Sequence, residues 1–111
     1  MRRRTEFEAA IRSGSRAGRP LLVGHLLVRD GVTEPPRIGF TVSRAVGPAV
    51  VRNRVKRRLR HIAAGYLRSL PEGSLLVLRA NPPAATASQV ELAAELGQVV
   101  RSLLRRQVGA V

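Results

Sequence analysis

The sequence predicts an α+β fold, a two-layer α/β sandwich with helices and strands in the order α-β-β-β-α-β-α. Three segments carry apolar residues at helical spacing, and the first and last of them open with capping-box patterns. Short segments between them are continuously apolar or alternate apolar with small residues, as strands do. The chain has 111 residues, 44% of them hydrophobic, which indicates one domain over residues 1–111 with a single modest core.

The first predicted element is a short helix over residues 5–14, preceded by a basic arm at residues 1–4. Thr5 and Glu8 have the spacing of a capping box, in which each residue satisfies a free backbone N–H of the first turn. Gly14 is a typical residue at the end of a helix. We therefore expect Thr5 to cap this helix.

Residues 15–43 are predicted to contain three strands. Residues 15–19 are small and basic, so this stretch is either a loop or a brief first strand. Residues 20–28 are apolar on both faces apart from a glycine and His25, which we interpret as a half-buried strand residue because no acid or nucleophile accompanies it. The strand at 37–43 alternates between one face of Ile38, Phe40 and Val42 and another of Gly39, Thr41 and Ser43.

A basic helix is predicted over residues 47–69. Its apolar residues step by four, four, three and four, so they share one helical face: Val51, Val55, Leu59, Ile62 and Tyr66. Six of the nine residues from 52 to 60 are cations: Arg52, Arg54, Lys56, Arg57, Arg58 and Arg60. No Asp or Glu lies between Glu34 and Glu72, so nothing nearby in the sequence neutralises them. This pattern predicts a folded helix that binds a polyanion.

A strand is predicted at residues 74–80 and a C-terminal helix at residues 88–107. Ser88 and Glu91 have the spacing of a second capping box. The buried stripe of this helix is expected to consist of Leu92, Leu96, Val99 and Leu103, with Arg101, Arg105 and Arg106 outside.

The composition indicates an anionic partner. The 20 Lys and Arg residues against seven Asp and Glu give a formal net charge of +13, typical of proteins that bind nucleic acid or an anionic membrane. No apolar run approaches the roughly 18 residues of a membrane span, and the basic start lacks the apolar core of a signal peptide. We expect a cytoplasmic protein with no membrane partner. The absence of cysteine excludes disulfides and thiolate chemistry.

The sequence shows no catalytic constellation. A metal-dependent nuclease needs clustered carboxylates, and a metal-free one needs a histidine with an acid. The seven acids are scattered without the spacing of a metal pair, and neither a phosphate-binding glycine loop nor a zinc pattern occurs. We therefore predict no catalytic residue and no metal ligand, and interpret the chain as a binding protein.

The segment AVVRNRVKRRLR, preceded by RIGFTVSR and a glycine, resembles the signature of the bacterial ribonuclease P protein subunit, and weaker resemblance covers nearly the whole chain. The resemblance implies a ribosomal-protein-like fold with a left-handed βαβ crossover through the basic helix. It also implies that the chain is part of an endoribonuclease holoenzyme that removes the 5′ leader of precursor tRNA. In that family the RNA subunit performs the Mg²⁺-dependent hydrolysis, and the protein strengthens leader binding.

The resemblance also assigns residues to two surfaces. The catalytic RNA is expected to contact Arg44, Arg52, Asn53, Arg54, Lys56, Arg57 and Arg60, chiefly through phosphates. The leader cleft is expected to be bordered by Phe7, Ile11, Thr41 and Ser43. Phe7 is equally well interpreted as a core residue, and Thr41 and Ser43 as ordinary solvent-facing residues.

The chain departs from the family pattern at four positions. The family favours an aromatic residue at Ile11 and a second basic residue at Ala45. It favours a glutamate at His61 and an aspartate at Ser74. We expect loss of Arg54 to weaken RNA binding with little effect on unfolding.

The implied partners are ribonuclease P RNA and precursor tRNA, in a 1:1 complex with monomeric protein that needs no protein partner. The implied cofactor is Mg²⁺, required by the holoenzyme rather than bound by side chains of the protein. Two alternatives remain on charge and fold alone: a ribosomal or assembly-type RNA-binding protein without a part in cleavage, and a DNA-binding regulator that places the basic helix in a major groove.

Overall fold

The computed structural model describes residues 4–109, and the predicted order of helices and strands is confirmed. The elements are α1 (Arg4–Ser13), β1 (Ser15–Gly18), β2 (Leu22–Val28), β3 (Arg37–Val42), α2 (Ala49–Ala63), β4 (Ser74–Ala80) and α3 (Gln89–Gly109). Single 3-10 segments follow α2 at Ala64–Ser69 and β4 at Pro82–Ala85. Of the predicted basic arm, residues 1–3 lie outside the described residues, and Arg4 already belongs to α1.

The four strands form one sheet in the order β1-β2-β4-β3. β2 pairs antiparallel with both β1 and β4, whereas β3 pairs parallel with β4. The predicted mostly antiparallel sheet is therefore confirmed, and so is the crossover, since α2 connects the two parallel strands. The hand of that crossover stays a prediction from the resemblance. β1 and β3 are the two edges of the sheet.

The helices lie on both faces of the sheet. α2 and α3 cover one face, where the main core forms around fully buried residues such as Val55, Leu59, Leu96 and Leu103. α1 lies on the opposite face, where Ala10 packs with Leu75 and Val77. The stripe predicted for α3 is buried as expected. Of the stripe predicted for α2, Val55 and Leu59 are buried, whereas Val51 and Ile62 are half-buried against the core and Tyr66 lies in the 3-10 segment that follows.

The basic helix is shorter than the sequence predicted. α2 ends at Ala63, and residues 64–69 form a 3-10 segment instead of continuing the helix to Ser69. The break falls next to Gly65, which costs about 1 kcal/mol in a helix relative to alanine. The start also differs, because the helix begins at Ala49 rather than at residue 47, and Pro48 is its N-cap with an extended ψ of 170°.

The two capping boxes have different outcomes. At α3 the backbone N–H of Glu91 donates to Ser88 Oγ at 3.1 Å, and the N–H of Ser88 donates to Glu91 Oε1 at 2.8 Å, so this box is formed. At α1 the prediction is wrong, because Thr5 lies inside the helix and Glu8 instead accepts a hydrogen bond from Arg4 Nε at 3.2 Å. An ion pair with a residue one helical turn earlier has replaced the cap.

Candidate nucleic-acid interface

The outward side of α2 is a cationic surface without acidic neighbours. We define the α2 surface as the polar residues that follow the first turn of this helix: Arg52, Asn53, Arg54, Lys56, Arg57, Arg58 and Arg60. The ion pairs among residues 4–109 all lie elsewhere, and join Arg4, Arg29 and Arg37 to Glu6, Glu8 and Glu34. The six positive charges of the α2 surface therefore remain uncompensated within the described protein.

Three arginines of the α2 surface are held by backbone carbonyl groups. Arg52 Nε donates to the carbonyl oxygen of Gly47 at 3.1 Å. Arg54 Nη2 donates to that of Ala85 at 3.3 Å, and Arg58 Nη1 to that of Ala87 at 3.1 Å. A carbonyl is a neutral acceptor, so these contacts orient the guanidinium groups without cancelling their charge.

Arg54 therefore differs from the expectation that it serves RNA binding alone. Its Nε is buried and has no hydrogen-bond partner in the described structure, and its Nη2 links α2 to the 3-10 segment after β4. Asn53, Arg57 and Arg60, by contrast, are exposed, and their side chains make no hydrogen bond to any residue between 4 and 109. Arg44 is also exposed, in the turn between β3 and α2.

The face of the sheet that carries α1 is only partly covered. Strand register places its residues in three rows across the strands: Arg37, Leu75 and Leu27; then Gly39, Val77, His25 and Arg16; then Thr41, Arg79, Val23 and Gly18. α1 packs on the first two rows through Ala10 and pairs Glu6 with Arg37 at 3.3 Å. The third row lies beyond this packing, with Arg79 exposed and Thr41 half-buried.

Phe7 lies between the two candidate surfaces. Its ring packs against the cluster of Ala10, Leu75 and Val77, as a core residue would. It also lines an open groove of about 310 Å³ along the edge strand β3, which it shares with Lys56 and Arg60 of the α2 surface and with residues 38–40. The structure thus confirms the core contact of Phe7 and also places Phe7 in the lining of a groove, while contact of the ring with the leader stays a prediction.

The other residues predicted for the leader cleft, Ile11, Thr41 and Ser43, do not line this groove. Ile11 is on α1 one turn after Phe7 and is 41% exposed. Thr41 shares the α1 face of the sheet, and Ser43 is exposed just after β3. Sequence analysis missed Arg79, which joins Thr41 on the uncovered row. Its signal was a lone cation in the otherwise apolar strand SLLVLRA.

His25 lies on the same face but is buried rather than half-buried, with 4% of its surface exposed. Neither ring nitrogen has a hydrogen-bond partner among the described residues. Burial, together with the charges of Arg79 and Arg16, lowers the pKa of His25 below its ordinary value of 6.5. The imidazole is therefore neutral near pH 7, and no acid accompanies it.

Within residues 4–109, His, Cys, Asp and Glu form no group of three or more that would hold a metal ion. No helix in that range is both long and apolar enough to cross a membrane. The geometry combines a cationic helix with a groove lined by two aromatic residues, Phe7 and Phe40, and this combination defines a nucleic-acid-binding protein of the α+β class.

Comparison with known proteins makes the assignment more specific. The Ribonuclease P family model matches residues 1–104, and the chain belongs to that family, as the protein component of the ribonucleoprotein enzyme that matures the 5′ ends of tRNA. Membership sets aside the two alternatives left by charge and fold, a ribosomal protein and a DNA-binding regulator.

Relatives and solved structures agree with this assignment. The ribonuclease P protein component of a Nocardioides species is 59% identical over 94% of this chain and 86% of its own length. That of Streptomyces bikiniensis is 51% identical over 94% and 90%. The fold is similar to the RNase P protein of Staphylococcus aureus, with a TM-score of 0.79 at 21% identity over 91% of each chain. It is also similar to that of Thermotoga maritima, with a TM-score of 0.76 at 22% identity over 95% and 94%.

Proposed function

We propose that this protein is the RNA-binding subunit of a ribonuclease P whose RNA subunit performs the hydrolysis, and that it holds both that RNA and the 5′ leader of precursor tRNA. The observation that carries the proposal is the α2 surface, where six cations, two of them exposed and four half-buried, have no carboxylate partner among the described residues. A polyanion supplies the missing counter-charge.

The α2 surface is the proposed contact with the catalytic RNA. Arg57 and Arg60 are free to bind phosphates, while Arg52 and Arg54 are already oriented by backbone carbonyls. Asn53 is exposed beside them and suits a hydrogen bond to a base or a sugar. Lys56, which lines the groove at Phe7, and Arg44 complete the set.

The groove at Phe7 is the proposed contact with the single-stranded leader. An aromatic ring is a platform on which a base stacks, and Lys56 and Arg60 on the opposite wall suit the phosphates that connect the bases. Ile11, Thr41 and Ser43 border this path, and Arg79 adds a positive charge on the uncovered row of the sheet. One strand of RNA lying along β3 would then contact both α1 and α2.

The acids of the chain support the assignment of catalysis to RNA. Glu6 and Glu34 form ion pairs with Arg29 and Arg37. Glu91 accepts a hydrogen bond from the backbone of Ser88, and Glu95 accepts one from the N–H of Leu21 at 2.7 Å. These carboxylates serve the fold, so in this proposal the catalytic Mg²⁺ ions are held by the RNA-containing holoenzyme. We further propose one protein monomer per RNA, acting in the cytoplasm without a protein partner.

The test combines the protein with the ribonuclease P RNA of its own genome and measures 5′ maturation of a precursor tRNA at low Mg²⁺. We expect the protein to raise the cleavage rate well above that of RNA alone, because it neutralises phosphates that Mg²⁺ otherwise screens. The protein without RNA should cleave nothing. Equal rates with and without the protein would contradict the proposal, and so would cleavage by the protein alone.

A further inference from the structure

A second cationic surface lies at the opposite edge of the sheet from α2. It is formed by β1, the turn that follows it and the outer side of α3, and we define the β1–α3 surface as Arg19, Arg101, Arg105 and Arg106. All four side chains are exposed. α2 lies against β3 and α3 lies against β1 and β2, so the two cationic surfaces are separated by the width of the four-stranded sheet, about 14 Å at about 4.8 Å per strand.

The β1–α3 surface contains a groove with polar walls. The groove has a volume of about 340 Å³, and its floor is made of the small residues Ala17 and Gly18. Arg19 stands on one side, and Gln98, Ser102 and Arg105 stand on the other. Arg101 and Arg105 border a neighbouring depression with Gln98 and Leu104, so donor groups continue along α3 beside one apolar side chain.

The groove is held in shape by contacts between α3 and β1. The guanidinium of Arg106 donates to the backbone carbonyl of Arg16, and Gln107 Nε2 lies 3.5 Å from Ser15 Oγ. Beneath them, a side chain at Gly24 would come within 2.5 Å of Val99, so α3 packs closely on the sheet at this level. The charged side chains therefore project from a rigid base.

The charges of this surface are not neutralised by the described protein. None of its four arginines forms an ion pair with a residue between 4 and 109. The nearest acid along α3 is Glu95, whose carboxylate accepts a hydrogen bond from the backbone N–H of Leu21 instead of pairing with these arginines. Four like charges on one small surface repel each other, and an anionic partner removes that cost.

We propose that the β1–α3 surface binds the phosphate backbone of a second, double-stranded RNA segment, at the same time as α2 binds the first. No aromatic side chain lines either depression, so the surface lacks the stacking platform that single strands use. Double-stranded RNA is instead recognised through its backbone and its shape. The apolar stripe of α3 is buried in the core, and among the large apolar side chains between residues 89 and 107 only Val90 is exposed, which is too little apolar surface to enter a lipid.

The test removes two charges that have no role in the fold. Arg101→Gln/Arg105→Gln is compared with Arg12→Gln/Arg68→Gln, which removes two exposed arginines from α1 and from the 3-10 segment after α2. One arm measures affinity for ribonuclease P RNA alone, and the other measures affinity of the assembled complex for precursor tRNA. We expect the first variant to bind about tenfold more weakly in one arm, with a log–log salt slope smaller by about 1.4–1.8, the value for two lost phosphate contacts.

If affinity falls for ribonuclease P RNA, that RNA supplies the duplex, and if it falls for precursor tRNA, the tRNA does. The control variant should have the affinity of the wild type in both measurements. Equal behaviour of the two double variants in both arms would overturn the inference. The inference rests on the proposed function, and the two fail differently. If the wild type binds neither RNA, the proposed function fails. If Arg57→Gln/Arg60→Gln loses binding while Arg101→Gln/Arg105→Gln behaves as the control does, only the β1–α3 surface is excluded.

A second measurement locates the RNA directly. The chain has no cysteine, so Gln98→Cys provides a unique thiol in the groove for a tethered iron chelate that cleaves nearby RNA. We expect cuts on both strands of one duplex, and no cuts at those nucleotides from a chelate on Ser69→Cys at the end of the 3-10 segment after α2. Absence of cuts from position 98, or cuts in single-stranded RNA only, would contradict the proposal.

Discussion

The arginines of α2 divide into two kinds that a count of charges does not separate. Arg54 and Arg58 each bridge from α2 to the segment after β4 through a backbone carbonyl. Arg57 lies between them in sequence but projects into solvent. Arginines on the same helix therefore contribute differently to the stability of the fold and to RNA binding.

Comparing Arg57→Ala with Arg54→Ala should separate the effect on RNA binding from the effect on stability. We expect Arg57→Ala to weaken RNA binding while the free energy of unfolding stays within about 0.5 kcal/mol of the wild type, as for most surface substitutions. Arg54→Ala should weaken binding and also destabilise the fold by about 1 kcal/mol, because it removes the hydrogen bond to Ala85. RNA titration and urea unfolding measure the two effects. Equal unfolding midpoints for the two variants would contradict the division.

Phe7 and Ile11 offer a paired test of the leader groove. Phe7→Leu keeps an apolar side chain on the Leu75 and Val77 cluster but removes the ring, so we expect leader affinity to fall by about 1–3 kcal/mol, the range for one stacked base. Ile11→Phe adds a ring at a position that is 41% exposed and should tighten leader binding. Affinities for precursor tRNA with and without a leader provide the measurement. Equal changes for both substrates would assign these residues to the fold or to another RNA contact.

His25 predicts how stability depends on pH. Its folded-state pKa is lowered, so below about pH 6.5 the unfolded chain binds a proton that the folded chain resists. The free energy of unfolding should therefore fall as pH drops from about 7 toward the folded-state pKa of His25. His25→Leu should make that decrease shallower, because it removes the group that gains a proton only on unfolding. Urea unfolding at several pH values measures the slope, and parallel curves for wild type and His25→Leu would exclude His25 as the cause.

At the scale of elements, the two long helices are specified by different means. α3 has a capping box at Ser88 and Glu91 and a four-residue apolar stripe, both readable from sequence. α2 has no side-chain cap at Pro48 and no acid in its first turn. Its like charges repel each other, so burial of Val55 and Leu59 against the sheet must stabilise it.

Ser88→Ala should destabilise the protein by about 1 kcal/mol, the usual cost of losing an N-cap side chain. The backbone N–H of Ser88 and, to a smaller extent, its hydroxyl lower the pKa of Glu91, and Ser88→Ala removes only the hydroxyl, so that pKa should rise part of the way toward its ordinary value of 4.5. Thermal unfolding and a carboxylate titration by NMR provide the two readouts. Thr5→Ala is the matched control at α1, where the corresponding box is absent, and a comparable loss of stability there would contradict the distinction.

At the scale of the whole molecule, acidic and basic residues are segregated. The ion pairs of the described chain lie within α1 or join α1, the loop between β2 and β3, and the start of β3. In contrast, α2 carries six cations and no acid, and the acids of α3, Glu91 and Glu95, precede its arginines in the chain. The formal net charge of +13 is thus concentrated on surfaces available to RNA rather than being spread evenly. Such a distribution makes binding strongly dependent on salt.

Salt titrations measure that dependence. If the α2 surface neutralises about six phosphates, the log–log slope of RNA affinity against salt should lie near −4 to −5, at roughly 0.7–0.9 counterions released per contact. Contacts at the β1–α3 surface should make the slope steeper. A slope near −1 would contradict the assignment of the cationic helix to phosphate binding.

The sequence by itself determined the order of elements, the stripes of α2 and α3, and the cationic side of α2. These features depend on local periodicity, which a helix or strand imposes on residues close together in the chain. The family resemblance in the RNRVKRRLR segment added the enzyme complex, and the comparisons confirmed it.

Only the tertiary structure decided which distant residues meet. The pairing of β2 with β4 and of β4 with β3 placed Arg79 beside Thr41, and the packing of α1 brought Phe7 to the groove with Lys56 and Arg60. The tertiary packing also placed the guanidinium of Arg54 within hydrogen-bond distance of the Ala85 carbonyl and buried His25. These outcomes depend on contacts between residues far apart in sequence, because strand register and helix docking are set by the whole core rather than by any one segment.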